Sequence, residues 1–340
     1  MIIGNVDTSA RVLVVAEIGN NHEGSFDVAR DLVKQAAAAG VGAVKFQTFR
    51  TDHYVSASDA ARYKRLKSFE LSEAQFGELA RVARSLGLLF ISTPLDLGSA
   101  AFLDGIVDAF KIASGDNNFF PLLAQVAKTG KPVIVSTGLA DLDLVARAVS
   151  FVRSQWTEVG VAGRLAVLHC VSSYPVPPEE ANVSAVKVLA ERFDCCVGYS
   201  DHTKGIDAAV LSVAAGARII EKHFTLDKHY SDFRDHQLSA DPPEMRQLVE
   251  KVRLASTLLG AGVKAVQPCE SAGLQATRRS IVAGRDLPVG HRIALEDLMW
   301  IRPGGGLEPG REGELMGRRL KRPVPFGEQL HPSDVEGPRA

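Results

Sequence analysis

Eight short runs of apolar, mostly β-branched residues punctuate the chain up to residue 260, and they constrain the fold more than any other feature. They lie at 12–16, 43–46, 88–92, 109–112, 132–135, 165–168, 197–199 and 219–221. Stretches of helical periodicity follow the first, second, fifth, seventh and eighth runs, at 26–39, 73–86, 142–152, 206–215 and 243–259. Near-continuous apolar strands alternating with helices predict a parallel sheet covered on both faces. The closed solution is a (β/α)₈ barrel. A doubly wound open sheet is the alternative, but no G-x-G-x-x-G or Walker-type loop follows the first run.

After Gly260 the pattern changes. Residues 261–278 read as a linker, and 279–340 as a small turn-rich β module with short strands and turns at 280–283, 286–290, 301–306 and 322–325. Such a module is near the lower size limit for independent stability. The net charge of -1 gives no reason to expect nucleic acid or an anionic membrane as partner. No apolar run reaches the roughly 18 residues of a membrane span, and the N-terminal residues lack a signal-peptide pattern. A cytoplasmic enzyme is the expectation. Cys170, Cys195, Cys196 and Cys269 form no C-x-x-C pair and read as reduced thiols.

In a (β/α)₈ barrel the reacting groups project from the carboxyl ends of the strands, and here polar residues cluster where each apolar run stops. In chain order these are Glu17 with Asn20, Asn21 and His22; Lys45, Gln47 and Thr48; Ser92 and Thr93; Lys111, Ser114 and Asp116; Ser136 and Thr137; His169, Ser172, Ser173 and Tyr174; Ser200, Asp201 and His202; and Glu221, Lys222 and His223. Lys45 and Lys111, with Thr93, Ser114, Ser136 and Ser200, make a ring of cations and hydroxyls suited to a phosphate plus a carboxylate. His202 and His223 end neighbouring strands. Two imidazoles, a nearby carboxylate and water would hold a divalent transition metal such as Mn²⁺, which would polarise a carbonyl. Taken singly, each motif has a duller explanation as a turn, an ion pair or a core histidine. Together they are hard to explain without a ligand, because burying this many polar groups is costly.

These segments resemble the N-acetylneuraminate synthase family. The resemblance rests on Ala16-Glu17-Ile18-Gly19-Asn20-Asn21-His22-Glu23-Gly24, Val44-Lys45-Phe46-Gln47-Thr48, Phe90-Ile91-Ser92-Thr93-Pro94, Phe110-Lys111-Ile112-Ala113-Ser114-Gly115-Asp116, Gly198-Tyr199-Ser200-Asp201-His202 and Glu221-Lys222-His223-Phe224. Arg302-Pro303-Gly304 and Gly317-Arg318-Arg319 resemble that family's antifreeze-like (SAF) domain. The resemblance implies that Lys45, Thr93, Lys111, Ser114, Ser136, Ser172 and Ser200 hold phosphoenolpyruvate. It implies that His202 and His223 bind Mn²⁺, with Mg²⁺ or Co²⁺ as alternatives. Glu17, Gln47, Asp116, Tyr174 and Asp235 would face an amino sugar and the attacking water. Glu17, Asp235, Lys111 and the two histidines would form the catalytic set. Arg302 would reach the sugar of a neighbouring subunit in a domain-swapped homodimer.

The chain departs from the family where His229-Tyr230-Ser231-Asp232-Phe233-Arg234-Asp235-His236 replaces a shorter Pro-Gly-Pro-Asp-His pattern. Asp232 is therefore a rival to Asp235. The implied reaction condenses phosphoenolpyruvate with N-acetylmannosamine or a related amino sugar. N-acetylmannosamine 6-phosphate, mannose or a diacetamido trideoxy sugar are alternative acceptors. A Schiff-base aldolase using Lys111 or Lys45 and a non-catalytic carbohydrate-binding protein are the rival readings.

Overall fold

The computed structural model describes residues 1–337. Residues 338–340 of the expected C-terminal module lie outside the described residues. The chain divides into two compact units, Met1–Gly260 and Ala261–Ala340.

In the first unit eight parallel strands close into a barrel. They are β1 (Leu13–Gly19), β2 (Ala43–Thr48), β3 (Leu89–Pro94), β4 (Ala109–Ile112), β5 (Val133–Ser136), β6 (Leu165–Cys170), β7 (Cys196–Asp201) and β8 (Ile219–His223). β8 closes onto β1, with His223 opposite Glu17. The principal covering helices are α1 (Phe26–Ala39), α2 (Glu73–Ser85), α3 (Leu97–Leu103), α4 (Phe120–Lys128), α5 (Leu142–Val159), α6 (Ala185–Arg192), α7 (Asp207–Ala214) and α8 (Pro242–Leu259). Local chemistry sets their ends. Ser25, Asp141 and Asp241 cap α1, α5 and α8 through side-chain oxygens, and Ser72 with Gln75 forms a capping box on α2.

Strand side chains alternate, so each strand sends every second residue into the barrel. The inward residues at the amino-terminal ends are apolar: Leu13, Val15, Ala43, Leu89, Ile91, Ala109, Ile134, Ala166, Leu168 and Ile219 form one cluster. A two-stranded hairpin, Ile2–Ile3 paired with Val6–Asp7, adds Ile3 and Val6 to that cluster and plugs the barrel floor. The outward residues, among them Phe46, Phe90, Phe110 and Tyr199, pack against the helices in a larger core.

Three differences from the sequence reading have plain causes. Helices α3, α4 and α6 span only 7, 9 and 8 residues, too few turns for a clear period. Two further helices, Thr51–Tyr54 and Ala60–Phe69, sit between β2 and α2. The segment read as a linker carries the helix Ser271–Thr277.

The second unit has its own core, built on Ile281, Leu287, Ile293, Leu315, Leu320 and Leu330. Its one sheet among the described residues pairs Ser280–Ala283 with Leu298–Ile301. The segments at 286–290 and 322–325, read as strands or turns, meet only at an isolated bridge, Leu287 to Val324. Pro288, Pro323 and Pro325 lack the N–H groups that a ladder needs. Among the described residues no helix is long and apolar enough to cross a membrane.

Gly198 in β7 tests the closeness of the strands. A Cβ there would lie 2.5 Å from Leu168 Cδ2 and closer still to the Ile219 carbonyl oxygen. Gly198→Ala is expected to cost about 3 kcal/mol. Gly77→Ala, in open space on α2, is expected to gain about 0.5–1 kcal/mol. Thermal melts of the two variants check the pair, and equal effects would contradict this packing.

Candidate active site

The same alternation that makes the barrel floor apolar makes its upper layers charged. Two steps above Val15, Ala43 and Ala109 on their own strands stand Glu17, Lys45 and Lys111, and Glu221 stands two above Ile219. All four are nearly or completely shielded from solvent, at 1%, 3%, 3% and 5% exposure. Lys45 Nζ lies 2.8 Å from Glu17 Oε2 and 3.7 Å from Glu221 Oε1. Lys111 Nζ lies 3.4 Å from the same Glu221 oxygen. Lys45 also donates to Thr93 Oγ1 at 3.2 Å, and Ser200 Oγ donates to Glu221 Oε1 at 3.0 Å. Gln47 donates to Glu17 Oε1 at 3.2 Å and accepts from Asn20 at 3.0 Å.

Burial raises the Glu17 carboxyl, with Lys45 opposing and the charge of Glu221 reinforcing. For Glu221 burial pulls upward too, but Lys111 and Lys45 outweigh it and hold the group below its ordinary value. Burial lowers Lys111 against the pull of Glu221.

A hydroxyl cradle lies at the ends of β4 to β6. Gly138 N–H donates to Ser114 Oγ at 3.0 Å, and Asn117 Nδ2 donates to the Gly138 carbonyl at 3.0 Å. A Cβ on Gly138 would collide with both Ser114 Oγ and Ser172 Oγ, so only glycine lets these hydroxyls converge. Ser136 Oγ is buried without a hydrogen-bond partner. An unpartnered buried hydroxyl is expensive unless a ligand completes it.

The two imidazoles, both buried, follow at the ends of β7 and β8 with ring centroids 5.4 Å apart. His202 Nδ1 is 2.8 Å from the Val171 carbonyl. A carbonyl only accepts, so Nδ1 carries a proton; burial pulls the ring down, but Cys170 and the Val171 carbonyl outweigh it and hold His202 above its ordinary value. His223 Nδ1 is buried with no hydrogen-bond partner. Burial, followed by the neighbouring cations, holds His223 well below its ordinary value and therefore neutral. A neutral His223 with a free nitrogen and a His202 oriented by a backbone carbonyl are each of a type that ligates divalent transition metals, but among the described residues no three His, Cys, Asp or Glu side chains gather into a metal site.

The Tyr174 ring lies 4.1 Å from His202 and 5.9 Å from His223. The exposed Arg234 guanidinium stands 4.7 Å above the Tyr174 ring, and its Nε is 3.4 Å from Asp235 Oδ1. Asp235 is buried and burial raises its carboxyl, whereas the rival Asp232 is exposed. His236 holds this loop through Thr225 Oγ1 at 2.7 Å and Glu23 Oε1 at 2.9 Å.

The barrel thus brings together Glu17, Lys45, Gln47, Thr93, Lys111, Ser200, His202, His223, Tyr174 and Asp235, with Ser114, Ser136 and Ser172 in the adjoining cradle. Asp116 is half-buried in a 3₁₀ turn after β4. Arg302 is exposed and belongs to the second unit. Several polar strand-end residues face the helices instead. Ser92 bonds Thr48, His169 meets the Ala181 carbonyl at 3.0 Å, and Lys222 pairs with Asp201. Glu221, which bridges both lysines, escaped the sequence reading as a site residue. Its spacing two residues before His223 on one strand was the available signal.

A sequence model of the NeuB family matches residues 32–264. The chain belongs to the NeuB family. The SAF domain model matches residues 278–336. The chain is 39% identical to the N,N'-diacetyllegionaminic acid synthase of Legionella pneumophila, over 95% of this chain and 94% of that one. It is 32% identical to the human N-acetylneuraminate-9-phosphate synthase, over 90% and 88% of the two chains. The crystal structure of N-acetylneuraminic acid synthetase from Leptospira borgpetersenii, in complex with citrate, superposes with a TM-score of 0.75 at 33% identity. That match covers 80% of this chain and 94% of that one. The family is one of sialic, legionaminic and pseudaminic acid synthases, which are enzymes acting on sugars.

Burial pushes the Asp116 carboxyl up to about 6, with Lys111 opposing. A carboxyl raised on folding costs nothing below its unfolded value, where it is neutral in both states. The cost grows as pH rises through the unfolded value and is complete above about 6. Because the group is partly exposed, the full cost is on the order of 1–2 kcal/mol. Asp116→Asn should therefore stabilise the protein more at pH 7.5 than at pH 5 in paired thermal melts. An equal gain at both pH values would contradict this account.

Proposed function

We propose that the chain condenses phosphoenolpyruvate with an open-chain N-acylated amino sugar, N-acetylmannosamine or a diacetamido relative, and water. The products would be a nine-carbon 2-keto acid and phosphate. The observation that carries this reading is the pair of buried lysines with a hydroxyl cradle, whose Ser136 Oγ is unpartnered, on one side and two imidazoles on the other. An anion with two charged ends fits the first part, and a carbonyl to be polarised fits the second.

In this reading Lys45, Lys111, Thr93, Ser200 and the hydroxyls of Ser114, Ser136 and Ser172 hold the carboxylate and phosphate of phosphoenolpyruvate. Charge-assisted hydrogen bonds of this kind are strongest in a dry site. His202 and His223 would hold a divalent cation, Mn²⁺ first, whose contribution is Lewis acidity toward the aldehyde carbonyl. Gln47, Asp116, Tyr174 and Asp235 orient the sugar so that its aldehyde carbon faces the enol carbon.

A bond forms between those two carbons, and the alkoxide left on the sugar takes up the proton that the added water gives up through Glu17 or Asp235. Water adds to the phosphate-bearing carbon and loses a proton to Glu17 or Asp235, whose carboxyls burial raises toward the useful range. The C–O bond then breaks, phosphate leaves, and the ketone remains. Holding both reactants in register contributes on the order of 7–11 kcal/mol at best. The reading further expects a homodimer in which Arg302 serves the neighbouring chain's sugar.

A second reading keeps the chemistry and changes the acceptor to a phosphorylated N-acylmannosamine. It is favoured by the exposed Arg234 guanidinium, which puts a cation beside Tyr174 at the mouth.

The test uses metal-stripped full-length protein, phosphoenolpyruvate and a panel of neutral and phosphorylated N-acylamino sugars, with and without Mn²⁺. Phosphate should appear only with the cation and a matching sugar, and ¹⁸O in the bridging position should leave with the phosphate. Metal-independent turnover, or a borohydride-trapped pyruvyl-lysine, would overturn the reading in favour of Schiff-base chemistry.

A further inference from the structure

One fully buried ion pair lies outside the pocket just described. Lys222 and Asp201 stand opposite each other on β8 and β7. Both side chains are at 0% exposure, and Lys222 Nζ is 3.0 Å from Asp201 Oδ2. They follow Glu221 and Ser200 directly, so alternation turns them out of the barrel and into the helix-facing layer with Ile220, Tyr199 and Phe224.

Stability gives no reason for a salt bridge there. A buried pair must recover the desolvation of two ions, and apolar residues of similar volume are often neutral or better by about 1–4 kcal/mol. What the pair touches is more informative. Lys222 Nζ also donates to the Thr203 carbonyl at 2.5 Å. The other Asp201 oxygen accepts from the Thr203 N–H at 2.9 Å and from Thr203 Oγ1 at 2.8 Å. The residues on either side of His202 are thus both fastened to Lys222, the residue immediately before His223. The His202 backbone is held from the far side as well, since its carbonyl accepts from Val176 N–H at 3.0 Å.

We propose that the Lys222–Asp201 pair is a positioning device, a cross-strand tie that fixes His202 and His223 relative to one another. The functional half of this inference rests on the reading of those histidines as metal ligands. The tie itself rests only on the contacts above. Residues that support a ligand from behind commonly change metal affinity ten- to hundredfold when removed.

Two variants test it. Lys222→Met keeps the stem and removes the charge. The double variant Lys222→Met/Asp201→Asn leaves no uncompensated carboxylate and retains an oxygen for Thr203, so it is expected to fold where the single variant does not. Metal-free protein is examined by ¹⁵N imidazole NMR, and Mn²⁺ binding by electron paramagnetic resonance titration. In wild type the His202 ring should show the single Nδ1–H tautomer. In the double variant it should populate both tautomers, and Mn²⁺ affinity should fall ten- to hundredfold while the circular dichroism spectrum is unchanged. A folded double variant with one His202 tautomer and wild-type Mn²⁺ affinity overturns the inference. A tautomer change in protein whose wild type binds no Mn²⁺ supports the tie and removes the metal reading.

Discussion

Strand alternation inside a closed barrel is the constraint from which the rest follows. Every second residue of eight strands must enter one enclosed space, and whatever enters must satisfy its neighbours there. At the amino-terminal ends Leu13, Ile91, Ile134 and Ile219 fill it, and the hairpin carrying Ile3 and Val6 seals it. At the carboxyl ends the same parity delivers Glu17, Lys45, Lys111 and Glu221 to one place. No slip of a single residue is tolerated, because slipping each strand back by one would exchange this quartet for Ala16, Val44, Phe110 and Ile220.

The quartet is balanced by itself, two ammonium groups against two carboxylates, so no buried charge in it stands alone. Removing any one partner leaves a buried charge uncompensated, at a cost of about 3–5 kcal/mol. The balance is uneven in detail. Burial raises Glu17 while the lysines hold Glu221 down. The two carboxylates are therefore unlike: Glu221 sits between Lys45 and Lys111 as their counterion, whereas burial pushes Glu17, tied to Gln47 and Lys45, toward its protonated form. The hydroxyl cradle around Gly138 adds donors without adding charge. An anionic ligand there gains hydrogen bonds and meets no carboxylate among the named cradle residues.

Much of this was legible in the sequence. The barrel followed from eight apolar runs, because runs buried on both faces are continuous rather than alternating. The site followed from the polar residues at their ends. Direction was the missing piece. Ser92, His169, Asp201 and Lys222 share strand ends with site residues yet face the helices, and the strand register decides this, not composition. Glu221 was overlooked because a charged residue beside Lys222 and His223 blends into a polar strand end until both lysines are seen to converge on it. The choice between Asp235 and Asp232 also needed the fold, since the lengthened loop shifts the count and burial separates the two. Short helices such as Leu97–Leu103 carry too few residues to announce themselves.

The central claim is that the buried lysines and the hydroxyl cradle form one site for an anion bearing both a carboxylate and a phosphate. Calorimetric titration of phosphoenolpyruvate into metal-free protein, with pyruvate and inorganic phosphate as separate ligands, tests it most directly. Phosphoenolpyruvate should bind far more tightly than either fragment. Lys111→Met should weaken it by about 1.5–3 kcal/mol, the worth of a hydrogen bond to a charged group. Equal affinity for phosphate alone, or undiminished binding in a folded Lys111→Met protein, would contradict the account.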